Sequence, residues 1–80
     1  METIYLLIPD GQQEPYKPEK YFAKNLDSLK EVAVKIMKDD SGIEVIPKYV
    51  NISPDETVLT VKFHALPVQI IKFHIIVKKE

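Results

Sequence analysis

The 80 residues carry 11 basic and 12 acidic side chains, a formal net charge of −1 and no cysteine. That length holds one domain, the lack of cysteine excludes disulfides and thiolate metal sites, and the near-zero charge supplies no bulk field toward nucleic acid or acidic lipid. A chain this short buries only about 60% of the surface its unfolded form exposes, so packing must hold it, within the chain or shared with a second one.

All 11 basic residues are Lys, and Arg is absent. Arg supplies the planar fork that reads guanine edges and phosphates, so its absence argues against sequence-reading nucleic-acid binding and phosphoryl chemistry. A genome poor in G and C, favouring Lys and Ile codons, is the plainer explanation. Apolar residues make up 45% of the chain and lean on ten Ile and eight Val, the β-branched types that suit strands.

Thr3–Ile8 is a short continuous apolar run and predicts a strand buried on both faces. Pro9, Asp10 and Gly11 stop it with turn chemistry. The run follows Glu2 and is too short for a leader peptide, and no stretch reaches the roughly 20 apolar residues of a membrane span. The expectation is a cytoplasmic protein with no membrane partner. Pro15 and Pro18 then flank Tyr16 and predict extended chain outside any ladder. Lys20–Lys24 allows a short second strand.

The helix has the plainest signal. Leu29, Val32, Ala33, Ile36 and Met37 form one apolar stripe at helical spacing, with Lys30, Glu31, Lys35 and Lys38 pointing away. Asp27 and Ser28 offer N-caps, and Ser28 with Glu31 has capping-box spacing. Gly42 suits the left-handed residue that ends the helix. Asp39 and Asp40 oppose good design, because they put negative charge at the negative end of the helix dipole. They read as turn residues, or as an acidic corner for a basic partner.

Ile43–Ile52 predicts a strand that Pro47 confines to an edge or bulges. Ser53-Pro54-Asp55-Glu56 has type I turn chemistry and joins it to the next strand as a hairpin. Thr57–Ala65 alternates, with Leu59, Val61, Phe63 and Ala65 on one face and Thr60, Lys62 and His64 on the other. Leu66-Pro67 interrupts, and Val68–Lys78 resumes with Ile71, Phe73, Ile75 and Val77 on one face. Ile70, Lys72, His74, Ile76 and Lys78 take the other. The expected architecture is α+β, a mostly antiparallel sheet of four to five strands with one helix on one face, in the order β-(β)-α-β-β-β.

Candidate chemistry is sparse. The only imidazoles, His64 and His74, share a face and could in principle hold zinc with a carboxylate such as Glu56. Lys62 and Lys72 flank them and oppose a cation, so ordinary solvent-facing His is the better reading. Ser28, Ser41 and Ser53 are explained by caps and turns, and Gly11 and Gly42 belong to no phosphate-cradling loop. No enzyme, metal or cofactor is expected. The Lys62, His64, Lys72, His74 and Lys78 stripe, with Lys48 and Tyr49 nearby, is either an ordinary wet sheet face or a grip for phosphates or acidic protein. Phe63 and Phe73 lie on the apolar face, so no stacking platform for single strands faces solvent.

One mismatch carries a functional expectation. A sheet of four or five strands is roughly 15–20 Å wide, whereas one helix covers about 10 Å. Ile70 and Ile76 add apolar surface on the face the helix does not reach. Something else must cover the remainder: the Pro15–Pro18 loop can fold over part of it with Tyr5, Tyr16 and Tyr21, and another protein or a second copy in a homodimer is the more economical cover. The expected function is a small non-enzymatic protein-binding module, an inhibitor or regulator of a larger protein such as a phage or plasmid accessory factor. The alternative is a nucleic-acid-associated or antitoxin-like protein using the Lys/His face.

Overall fold

A computed structural model describes residues 2–79. Its elements run β1 (Thr3–Pro9), α1 (Leu26–Ser41), a 3₁₀ turn (Pro47–Tyr49), β2 (Val50–Ile52), β3 (Val58–Phe63) and β4 (Gln69–Lys79). The strands form one antiparallel sheet in the order β1-β4-β3-β2, with α1 on one face. This is the α+β class that the hydrophobic periodicity predicts. Among the described residues, no helix is long and apolar enough to cross a membrane.

The alternation of β3 and β4 sets which face meets the helix. Leu59 pairs with Phe73 and Val61 with Ile71, while Leu7 lies opposite Ile75 in β1. These residues join Leu29, Ala33, Ile36 and Met37 of α1 and Val50 of β2 in one core. Leu7, Leu29, Val50, Leu59 and Val61 are almost wholly removed from water. Each such burial stabilises the fold by about 1.5–3 kcal/mol before chain entropy is counted.

β4 is the long strand, with 11 residues against seven in β1 and six in β3. β1 pairs only with Phe73–Lys79 and β3 only with Gln69–His74. The two neighbours overlap along β4 at just Phe73 and His74, so the sheet is staggered. The molecule's principal extents are 44 × 25 × 22 Å.

Four local features differ from the sequence reading. The helix is capped by Asn25, whose Oδ1 accepts the Ser28 N–H at 2.8 Å, rather than by Asp27 or Ser28. Starting at Leu26 brings that side chain onto the core, and the favourable cap moves with it. Residues 43–46 are not a strand, and Pro47 begins a 3₁₀ turn, where its missing N–H costs nothing. Only Val50–Ile52 pairs with β3. The possible strand at 20–24 reduces to a single antiparallel bridge between Ala23 and Tyr5, with reciprocal bonds of 2.7 and 3.0 Å. Asp39 and Asp40 are not turn residues, because the helix continues through them to Ser41.

Other expectations hold. Gly42 has φ 67°, and its N–H donates to the Lys38 carbonyl as the left-handed cap requires. The Glu56 N–H donates to the Ser53 carbonyl at 2.9 Å, closing the predicted turn, and Glu56 itself takes φ 61°. A side chain at that φ is strained by about 1–2 kcal/mol.

Three substitutions test this account by chemical denaturation. Asn25→Ala is expected to cost about 1 kcal/mol, and Ser28→Ala no more than about 0.5 kcal/mol; the reverse ranking would show that the cap is misplaced. Glu56→Gly is expected to stabilise the protein by about 0.5–1 kcal/mol through relief at the left-handed position. No gain in stability would mean that turn is unstrained.

Candidate functional site

The face of the sheet opposite α1 is built by alternation alone. The register sets Ile4 against Lys78, Leu6 against Ile76 and Ile8 against His74 on the β1 side. On the β3 side it sets Val58 against His74, Thr60 against Lys72 and Lys62 against Ile70. Charged and branched apolar side chains therefore interleave across this face. Ile70 is 67% exposed and Ile76 38% exposed, and α1 covers neither.

Two contributions were not visible in the periodicity. Beside the Tyr5–Ala23 bridge, Phe22 is exposed at the sheet margin, where it lines one shallow depression with Ile4, Pro18 and the Lys24–Glu2 ion pair and another with Val32 and Lys35 of α1. The other is the β3–β4 connection, where Leu66 and Val68 are exposed beside Ile70 and the Leu66–Pro67 bond is cis. Alternate parity within 21–23 was the only available sign for Phe22, and it needed the bridge to interpret it.

The basic stripe is divided. His64 follows the end of β3 and packs edge-on to Tyr49, with ring centroids 5.1 Å apart. Lys48 lies over the Tyr49 ring at 5.2 Å, so Lys48, Tyr49, Lys62 and His64 gather at one end. His74 lies opposite Val58, six residues back along β3, which is about 20 Å away. The two imidazoles therefore do not share a site, and no group of three or more metal-binding side chains occurs among the described residues.

His74 has a partner that the sequence reading did not assign. Its Nε2 lies 2.9 Å from Oδ1 of Asp10, the residue just after β1. That contact, with help from Lys72, holds the Asp10 carboxyl below its ordinary value. Asp10 thus offsets positive charge in the middle of the stripe, leaving Lys62 and Lys78 as its outlying cations.

At the edge of the other face, the acidic helix end meets the Pro-rich segment. The Tyr21 hydroxyl donates to Oδ2 of Asp39 at 2.6 Å, and the Tyr16 hydroxyl donates to Oδ1 of Asp40 at 2.8 Å. Backbone bonds from Tyr16 to Leu7 and between Ala23 and Tyr5 lash the same segment along β1. Each carboxylate disfavours ionisation of the phenol bonded to it, so both tyrosines are pushed above their ordinary range. Asp39 and Asp40 are therefore engaged within the chain, although neither has a cation within 4 Å among the described residues.

The sign of that coupling sets a pH dependence. Tyr16 and Tyr21 have raised values in the folded state, so their contribution is whole below the ordinary tyrosine value and lost as pH rises through the raised one. Tyrosinate absorbance should show Tyr16 and Tyr21 titrating above the ordinary range, and Asp39→Asn with Asp40→Asn should lower both toward it. Unchanged titration in that double variant would refute the pairing. Compared with models of known protein families, with curated proteins and with solved structures, the chain matches none.

Proposed function

We propose that this protein is a non-catalytic binding module that docks on a larger protein through the outer face of its sheet and inhibits or regulates that protein. The observation that carries this reading is the exposure of Ile70 and Ile76, with Leu66 and Val68 in the connection before Ile70, on surface that the single helix does not cover. Exposed branched apolar side chains at two places on one sheet face, with Lys72 and His74 between them, suit an interaction surface. Lysines interleaved with it suit a docking surface with a polar rim. The reading places the protein in the cytoplasm, as an accessory factor of the size that phages and plasmids encode.

The Lys/His face lends less support to nucleic-acid binding. Lys62 is paired with Ile70, Lys72 stands near the Asp10 carboxylate, and His74 is held by that same carboxylate. A phosphate-tracking surface gains from continuous positive charge, which this face lacks.

Ile70→Asp and Ile76→Asp each change one exposed strand residue, so each is expected to cost no more than about 1 kcal/mol of stability. Both should abolish retention of the partner protein from a lysate of the native host, while Lys62→Glu with Lys72→Glu keeps it. Retention of nucleic acid that these Lys variants abolish, with no protein lost in the Ile variants, would sink the proposal. Sedimentation across a concentration series distinguishes a second copy of the chain from a different protein as the occupant.

A further inference from the structure

We infer that the groove between the first half of β4 and the C-terminal half of α1 receives an extended basic segment of a partner protein, which joins the free edge of β4 as an added strand. The inference deepens the protein-binding reading, since it rests on a protein partner and assigns that partner's chemistry.

The stagger of the sheet creates the edge. β1 accompanies β4 only as far as Phe73, and one further bond follows, from the Asp10 N–H to the Lys72 carbonyl at 3.1 Å. That bond shows that even-numbered residues of β4 aim their backbone groups toward β1. The bond from the Ile75 N–H to the Thr57 carbonyl shows that odd-numbered ones aim toward β3. The N–H of Lys72 and both the N–H and C=O of Ile70 therefore project past the end of β1. Among the described residues none of the three has a backbone partner. Three free groups spaced along one strand are what an incoming strand pairs with.

This edge does not stand open on a flat rim. It looks into a groove of about 370 Å³ whose walls include Ile36, Met37 and Asp40 of α1, Tyr16 of the Pro-rich segment and Phe73 of β4. Side chains on one face of an added strand would meet Ile36 and Met37. The recess also selects the occupant. A single extended segment needs only the width of one strand to enter it.

Charge completes the argument. Two carboxylates, Asp10 and Asp40, line the groove against one cation, Lys72, and Asp40 stands at the negative end of the helix dipole, with Asp39 next to it in the chain. The hydrogen-bond donors of Asp39 and Asp40 are neutral phenols, and no cation lies within 4 Å of either. A Lys or Arg on the added strand can lay its stem along Met37 and bring its charge to Asp40.

The test uses the whole chain and a blocked hexapeptide, Lys-Val-Lys-Val-Lys-Val, followed by amide-resolved NMR. Saturable shifts are expected at Ile70, Ile71 and Lys72, with slowed exchange of the Ile70 N–H. A Glu-Val counterpart and a Lys-Val peptide N-methylated at alternate residues should each bind at least about tenfold more weakly. Ile70→Pro removes an N–H that the β3–β4 ladder does not use, so the fold should survive while affinity falls by a similar factor. Ile70→Thr keeps the N–H and should stay within about threefold of the parent. Should Ile70→Pro fail to fold, the N-methylated peptide still decides the matter. No saturable binding up to about millimolar peptide, equal binding of the Glu-Val peptide, or full binding by a folded Ile70→Pro chain would overturn the groove. Any of these results alongside Ile76-dependent retention of a partner would remove the groove and leave the outer docking face standing.

Discussion

The reach of β4 is the constraint from which the rest of the molecule follows. A strand of 11 residues extends about 36 Å, longer than the 16-residue helix, which spans about 24 Å. Neither β1 nor β3 is long enough to flank it throughout, so each takes one half. The core forms where the two halves meet, around Phe73 with Leu7, Leu59 and Val61. Beyond that crossing, the ends of β4 have a neighbour on one side only, and Ile70, Ile76 and Val77 there are left exposed while Ile71 and Ile75 still pack on the core. Exposed Ile70 at one end and half-exposed Val77 at the other express the same geometry.

The Pro-rich segment answers part of this problem. It is too irregular to be a strand, yet Tyr16, Tyr21 and Ala23 anchor it to both β1 and the helix end. Tyr21 and Ala23 are buried and belong to the core, so the segment serves as a side wall. The two aspartates that weaken the last helical turn are the acceptors that hold the wall in place. A local electrostatic cost is thereby exchanged for a tertiary contact.

What could be read from the chain depended on how local its cause was. Apolar spacing in Leu29–Met37 and alternation in β3 and β4 act over a few residues, and both set the helix, the strands and their facing sides correctly. The exposure of Ile70 and Ile76 followed from the same alternation. Features decided by distant contacts were not readable. Asn25 and Ser28 are both competent caps, and Leu26 packing against the core chose between them. The Tyr–Asp pairs join residues 18 and 24 positions apart, and no local pattern announces them. His64 and His74 looked like neighbours because parity gives a face but not a register. The register, with Val58 opposite His74, is what parts them.

The pairing of β1 with β4 also bears on how the molecule comes together. Thr3 finds its partner in Lys79, nearly the whole length of the chain away. The β3–β4 hairpin, in contrast, closes over a short connection. Loop-closure entropy grows with the length closed, so the hairpin and α1 can form early while β1 waits for a distant strand. Until it docks, Leu6 and Leu7 have no sheet to enter, and that side of β4 is open along its full length. The interval before β1 arrives is when such a chain is most exposed to aggregation.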